Sequence, residues 1–223
     1  MIYKAYTKEE IQIDKKDVLR YAFSKNADEL SYSHVLESCI KNALPLLEPK
    51  IIYEYVPISF HGESTINFGS FEANSTSLKK NMAGAEGAII FAATLGYKSE
   101  RELIKSRTDA VSLLFTDAIF TSVLENIADR VFKDLKEELS AEGRFLRPRF
   151  RPGYGDFNLA HQKDIFRILD LPRRLGMTLT ENLFMVPSKS ITAICAVSKT
   201  NENCEIQGCE ICDKKDVCRF CRI

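Results

Sequence analysis

The chain has 223 residues, and its 31 lysines and arginines balance 31 aspartates and glutamates. This length suits one large domain or two small ones with a sizeable core. The balanced charge argues against a general nucleic-acid binder, whose surface is normally basic. No apolar run approaches the roughly 20 residues that cross a bilayer, and the first residues lack the apolar core of a signal peptide. We therefore expect a cytoplasmic protein that binds neither nucleic acid nor membrane.

Runs of β-branched, aromatic or alternating residues predict strands, and apolar residues at helical spacing predict helices. In chain order, the first elements are an edge strand at 10–13, helices from residue 14 or 15 and from Ser31 or Ser33, strands at 51–60 and 64–71, a helix at 75–82 and a buried strand at 88–94. The later elements are a helical region at 99–139 with a break near Asp109, a helix at 159–169, and strands at 184–187 and 190–197.

Strands separated by helices of unequal length predict the fold class. We expect an α+β fold with a largely antiparallel mixed sheet and helices packed on it. Residues 1–200 form this domain, and residues 201–223 form a cysteine-rich C-terminal tail. Within the long helical region, Asp109, Asp117 and Glu125 recur every eight residues, which indicates a charged edge beside the apolar stripe.

The segment 147–156 (RPRFRPGYGD) contains three arginines, two prolines and two glycines around one tyrosine. Prolines fix φ, whereas glycines adopt backbone conformations closed to other residues, so the segment predicts a rigid, shaped loop. Its arginines suit a carboxylate or a phosphate. A basic turn before a helix is the alternative interpretation.

This loop and the residues after it carry an ordered set of motifs. Arg149, Gly153 and Tyr154 form an arginine, three residues and then Gly-Tyr. A Gly-Met-x-Leu-Thr-Glu turn follows at 176–181, and a strand rich in serine and small apolar residues follows at 187–198. In this order the motifs resemble the activation domain of cobalamin-dependent methionine synthase.

The resemblance implies that the domain binds S-adenosylmethionine beside this loop and supports the reductive methylation of cob(II)alamin. Arg149 would bind the ligand carboxylate, Gly153 would allow a close approach to the backbone, and Tyr154 would pack on the adenosine or face the corrin ring. A buried salt bridge that holds the loop is the alternative role for Arg149. We expect Arg147 and Arg151 to be surface charges that are available to a partner.

The chain lacks the Asp-x-His-x-x-Gly motif that provides the cobalt ligand in this family. The resemblance therefore implies a free-standing reactivation subunit of a split methionine synthase, catalytic only with a cobalamin-bearing partner and an electron donor. Another corrinoid methyltransferase is the alternative partner. A non-enzymatic interaction protein with a metal-knuckle tail is the alternative function.

Five of the seven cysteines lie in the tail, with the spacing C-x4-C-x2-C-x5-C-x2-C. Each C-x2-C pair can chelate a metal from a tight turn, so the candidate ligands are Cys209, Cys212, Cys218 and Cys221. The spacing leaves zinc, an iron–sulfur cluster and metal-free thiols or a disulfide open. We expect the two remaining cysteines, Cys39 and Cys195, to be small buried hydrophobic residues.

Overall fold

The computed structural model describes residues 1–23, 29–201 and 216. The strands are β1 (Ile2–Ala5), β2 (Lys50–Pro57), β3 (Ser59–His61), β4 (Thr65–Asn67), β5 (Glu72–Asn74), β6 (Ala85–Thr94), β7 (Phe145–Leu146), β8 (Thr178–Leu179), β9 (Met185–Val186) and β10 (Ser190–Ser198). The helices are α1 (Lys15–Phe23), α2 (Glu29–Ala43), α3 (Thr76–Asn81), α4 (Tyr97–Ser106), α5 (Ala110–Ala141), α6 (Gln162–Ile168) and α7 (Leu171–Leu175).

The central sheet has five strands in the order β1-β2-β6-β10-β7, and every neighbouring pair is antiparallel. β6 and β10 lie in its middle and are buried along almost their whole length. Because successive side chains point to opposite faces, the sheet supports a core on each side. This arrangement confirms the predicted α+β class with a largely antiparallel sheet.

The first core lies between the sheet and α1, α2, α4 and α5. α5 has 32 residues and is the main element of this layer. Its buried side chains, among them Phe115, Phe120, Val123 and Val131, pack on the sheet face that carries Phe91. By length and hydropathy α5 is apolar enough to cross a membrane, but half of its most apolar 18-residue window is buried inside the domain. The burial explains this apolar composition as that of a core helix.

The second core lies on the opposite face, under α3, α6, α7 and a small three-stranded sheet, β3-β4-β5. Buried residues of this layer include Phe68, Leu78, Met82, Phe157 and Ile165. The loop 147–156 runs along the β10 edge of the central sheet, and residues of this loop contact both layers.

Several predicted elements need correction. Residues 10–13 do not form a strand, because the Glu10 N–H donates to the Thr7 carbonyl over 3.2 Å and closes a 3₁₀ turn, and the Glu10 carboxylate accepts from the Thr7 N–H over 2.8 Å. The predicted strand at 51–60 divides after Pro57 into β2 and β3, which belong to different sheets, since proline removes a backbone donor. The strand predicted at 64–71 ends at Asn67, and Gly69, with φ of 82°, turns the chain into β5. The second helix begins at Glu29, before the predicted Ser31 or Ser33.

Candidate functional site

The candidate loop leaves β7 and continues as an extended segment beside β10. The backbone N–H of Arg147 donates to the carbonyl of Ala196 over 2.9 Å, and Phe150 and Ile194 exchange two bonds of 2.8 Å. Leu146 pairs with Val197, and Phe150 pairs with Ile194. The loop therefore advances four residues between these two pairs, whereas β10 advances three. An extra residue of this kind is a β-bulge, which redirects the following side chains.

Past the bulge, Arg149 and Arg151 reach α5. Arg149 Nη2 lies 2.5 Å from Asp129 Oδ1 and 3.2 Å from Glu125 Oε2. Arg151 Nη2 donates to both oxygens of Glu125 over 2.9 and 3.1 Å. The Arg149 guanidinium also lies 5.2 Å from the ring centre of Phe132. Two arginines and two acidic residues therefore form one network that fastens the loop to α5.

Arg149 has a free donor within this network. Its side chain is 16% exposed, and its Nη1 is buried without a hydrogen-bond partner among the described residues. A guanidinium presents several N–H donors in a fixed fork, and a buried donor without an acceptor is costly. Arg149 thus has the predicted alternative role of a salt bridge that holds the loop, and its buried Nη1 donor has no acceptor among the described residues.

Gly153 and Tyr154 form the turn that follows. Gly153 has φ of 94°, and its N–H donates to the carbonyl of Phe157 over 2.7 Å. A β-carbon there would meet only Leu159 Cδ1, at an ordinary 3.5 Å, so the backbone angle, not crowding, requires glycine. The Tyr154 side chain is 49% exposed, with its ring edge-on to Phe150. The turn therefore presents an aromatic face next to a position without a side chain.

The prediction that Arg147 and Arg151 are surface charges is wrong. Arg147 is 4% exposed, and its Nη1 donates to the backbone carbonyl of Asn81 over 2.6 Å. The Arg151 guanidinium is held by both carboxylate oxygens of Glu125. Burial alone would lower the pKa of Arg151, but the adjacent Glu125 carboxylate raises it above its usual value. Both side chains are committed to the domain itself.

The sequence did not assign three acidic residues to this region: Asp129, Asp156 and Glu125, which was predicted only as part of a charged edge. Glu125 and Asp129 lie four positions apart on α5 and so share one helix face, opposite the two arginines. Asp156 accepts hydrogen bonds from Ser75 Oγ (2.5 Å), the Thr76 N–H (2.8 Å) and the Ser77 N–H (3.0 Å). These bonds, with Ser75 first, hold the pKa of Asp156 well below its usual range. The four-residue spacing on α5 was the available signal for the first pair.

The strand predicted at 187–198 uses its hydroxyl groups internally. Ser190 Oγ donates to Thr94 Oγ1 over 2.8 Å, between the two central strands, and both residues are buried. Lys189 Nζ lies 2.8 Å from both Asp117 Oδ1 and Thr121 Oγ1 on α5. Asp109, which was predicted to belong to a charged edge with Asp117 and Glu125, is the N-cap of α5, and its side chain accepts from the Val111 N–H. Each of the three acidic residues at eight-residue spacing thus has its own local role.

The cysteines divide into two groups. Cys39 and Cys195 are buried, as predicted, and burial raises the pKa of Cys195 to about 12, so it remains a thiol. The candidate metal ligands Cys209, Cys212, Cys218 and Cys221 lie outside the described residues. Within residues 1–23, 29–201 and 216, no group of three or more His, Cys, Asp or Glu side chains is placed to hold a metal.

A cavity of about 220 Å³ lies apart from the loop, between α2, α4 and α5. Polar side chains line most of it, including Asn42, Asp109, Ser112 and Thr116. Arg149, Gly153 and Tyr154 do not contribute to its walls. The loop, with its buried half-open arginine and exposed tyrosine, is therefore the better candidate for a ligand-binding surface.

Comparison with known proteins identifies the fold. No protein-family model and no curated protein matches the sequence, but solved structures match its α+β architecture. One of them is a crystal structure of the MetH reactivation domain bound to AdoHcy (S-adenosylhomocysteine), with a TM-score of 0.63 and 14% sequence identity. The match covers 87% of this chain and 77% of that chain. The chain thus has the fold of the MetH reactivation domain.

Proposed function

We propose that this protein binds S-adenosylmethionine and supports the reductive methylation of cob(II)alamin held by a partner, in a split cobalamin-dependent methionine synthase. The proposal rests on the loop that carries Arg149, Gly153 and Tyr154 within a reactivation-domain fold. The observation that carries it is the buried Nη1 of Arg149, which has no partner among the described residues, in a loop that also exposes the ring of Tyr154. The solved structure with this fold is bound to AdoHcy, which is the demethylated form of the proposed ligand.

Arg149 fits the carboxylate of the ligand. Its Nη2 is held by Asp129 and Glu125, so the guanidinium is already oriented, and its Nη1 has hydrogen-bonding capacity left. A carboxylate binds well to a fixed guanidinium fork, and a charge-assisted hydrogen bond of this kind contributes about 1.5–3 kcal/mol.

Tyr154 and Gly153 fit the remainder of the ligand. A half-exposed tyrosine ring offers a flat apolar face to adenine, and the same face attracts a cation such as the sulfonium. Gly153 has no side chain that would keep the ligand from the backbone of the turn. Position, exposure and side-chain chemistry at these two residues therefore agree with the proposed ligand.

The corrinoid and the electron belong to other components. One electron reduces cob(II)alamin to cob(I)alamin, whose cobalt then takes the methyl group from S-adenosylmethionine. The sulfur keeps the bonding electron pair, so the products are methylcobalamin and S-adenosylhomocysteine. This chain would bind and orient the methyl donor, while the chemistry resides in the cobalt. Such a protein acts in the cytoplasm, together with its corrinoid-bearing partner and an electron donor.

The test is methyl transfer under anaerobic conditions. The purified protein is mixed with a partner loaded with cob(II)alamin, a chemical reductant and S-adenosylmethionine labelled in its methyl group. We expect label in methylcobalamin only when all components are present. A methionine synthase without its C-terminal domain and a different corrinoid methyltransferase serve as parallel partners, which decides between the two partner classes. Equal labelling with and without this protein, for both partners, would contradict the proposal and favour a non-enzymatic interaction protein.

We further propose that the tail binds one metal centre through Cys209, Cys212, Cys218 and Cys221. The paired C-x2-C spacing supports chelation, and the neighbouring lysines and arginines offset thiolate charge. Metal analysis of anaerobically purified protein should find zinc, or iron with labile sulfide. Replacement of Cys212 and Cys218 by serine should abolish that content. Metal-free protein after anaerobic purification would contradict the proposed centre and leave thiols or a disulfide.

A further inference from the structure

We infer that Arg147 and Asp156 position the ligand-binding loop by holding the two opposite ends of α3. We call this arrangement the α3 clamp, and it consists of Arg147, Asp156 and the helix Thr76–Asn81 between them. The inference rests on the proposed function, because it assigns a role in ligand binding to two residues that need not touch the ligand.

At the first end of α3, Asp156 accepts from the exposed backbone donors. The N–H groups of Thr76 and Ser77 donate to its two carboxylate oxygens over 2.8 and 3.0 Å, and Ser75 Oγ adds a third bond of 2.5 Å. The first N–H groups of any helix lack partners within the helix, and the helix dipole favours a negative charge there. The Ser75 side chain accepts from the Leu78 N–H. Ser75 and Asp156 together therefore provide acceptors for the N–H groups at the N-terminus of α3.

At the other end, Arg147 donates to the last carbonyl of the same helix. Its Nη1 lies 2.6 Å from the oxygen of Asn81. Carbonyls at a helix C-terminus lack intrahelical partners and favour a positive charge. Arg147 is 4% exposed and has no salt bridge with an acidic side chain among the residues that the structure describes. Its Nε is buried without a partner among the described residues, so the bond from Nη1 to the Asn81 carbonyl is the contact that ties its position to that of α3.

α3 is a firm support for the loop. Its inward residue Leu78 and the adjacent Met82 are both fully buried in the second core, and the Ser75 N–H donates to the carbonyl of Ser64 over 2.9 Å. The loop is thus attached at residues 147 and 156 to a helix that is itself fixed by packing. Arg149, Gly153 and Tyr154 all lie between these two attachment points.

The consequence is a loop with limited freedom before the ligand arrives. A residue between two fixed points loses fewer conformations on binding, so less binding energy is spent on ordering it. If release of one end left the loop in its binding-competent form about one-tenth of the time, the apparent affinity would fall about tenfold. The clamp residues therefore act through the loop.

The experiment uses a reporter within the loop of the full chain. The protein has no tryptophan, so Tyr154→Trp introduces a single fluorophore at the tip of the loop and keeps an aromatic ring. Asp156→Asn and Arg147→Met remove one clamp charge each with little change in side-chain size. Asp170→Asn is the matched control, because Asp170 also binds an arginine, Arg173, but is the N-cap residue before α7 and lies outside the loop.

Two quantities are measured: the rapid segmental motion of the tryptophan, by time-resolved anisotropy without ligand, and the dissociation constant for S-adenosylmethionine, in the same clamp variants with Tyr154 retained. We expect both clamp variants to increase the motion and to weaken binding about tenfold, at a temperature where circular dichroism shows each variant to be folded. Asp170→Asn should change neither. Where Arg147→Met does not fold, Arg147→Lys, which keeps the charge but loses the fork, takes its place.

Unchanged anisotropy in the clamp variants would overturn the inference, whatever their affinity for S-adenosylmethionine. Increased motion with unchanged affinity would overturn it as well, because the clamp would then have no role in binding. Absence of binding by the unsubstituted protein would instead refute the proposed function. The anisotropy without ligand would still report whether Arg147 and Asp156 order the loop, so the two failures are distinguishable.

Discussion

The guanidinium of Arg149 donates to the carboxylate of Asp129 over 2.5 Å, and this bond joins the candidate loop to α5. A carboxylate of the protein thus occupies one side of the group that we assign to the carboxylate of the ligand. The pair holds Arg149 in position through Nη2, and it also places a negative charge beside the Nη1 donor that we assign to the ligand. The ligand affinity of the Asp129→Asn variant distinguishes these two effects.

Asp129→Asn should strengthen the binding of S-adenosylmethionine about two- to fivefold. The substitution removes a competing charge of the kind whose ion pairs contribute about 0.2–1 kcal/mol when they are partly exposed, and Glu125 still orients Arg149. Titration calorimetry gives the affinity. Asp134→Asn is the control, since Asp134 lies farther along the same helix and pairs with Lys4. Weaker binding by Asp129→Asn would show that Asp129 contacts the ligand, with the ammonium as the natural partner.

Gly153→Ala and Gly84→Ala should destabilise the fold by similar amounts but differ in ligand binding. Both glycines have positive φ, 94° and 74°, and neither position is crowded. Each substitution should therefore cost about 1–2 kcal/mol of unfolding free energy through backbone strain. Denaturant titration measures this cost. Only Gly153→Ala should weaken the binding of S-adenosylmethionine. Equal affinities for the two variants would contradict the assignment of Gly153 to the ligand site.

Asp156→Asn should reduce stability in a pH-dependent way. The pKa of Asp156 is lowered in the folded state by its bonds to Ser75, Ser77 and Thr76, so its stabilising effect is fully present above the unfolded pKa of about 3.9. That effect is lost as the pH falls below this value toward the folded pKa. The unfolding free energies of the two proteins should thus differ at pH 7 and converge below about pH 4. A difference that stays constant with pH would mean that the charge of Asp156 is not involved.

The sequence predicts local features well. The break near Asp109 is correct because aspartate caps the helix that follows it. The buried strand at 88–94 is correct because a continuous apolar run of that length suits the middle of a sheet. By contrast, the strand at 51–60 is split at Pro57, where the second half joins another sheet. That exchange depends on tertiary pairing, which the run of apolar residues does not reveal.

The candidate site divides in the same way. The motif of Arg149, Gly153 and Tyr154 is contiguous, and the resemblance identifies it directly. The acidic partners of Arg149 and Arg151 are 20 and 26 residues away on α5, and Asp156 binds a helix some 80 residues before it. Arg147 lies in a segment with a one-residue bulge against β10 and binds the carbonyl of Asn81, 66 residues before it. These relationships arise only when distant segments pack, so the sequence predicts the residues of the loop but not their contacts.

The most direct test of the account is titration calorimetry of S-adenosylmethionine into the purified full-length protein and its Arg149→Ala variant. We predict saturable binding at one site per chain, weakened by about 1.5–3 kcal/mol in the variant. Arg173→Ala, which removes a more exposed arginine that pairs with Asp170, should bind like the unsubstituted protein. Absence of binding by the unsubstituted protein, both alone and with a corrinoid partner, would contradict the proposed function. Equal affinity for Arg149→Ala and the unsubstituted protein would contradict the assignment of the ligand carboxylate to Arg149.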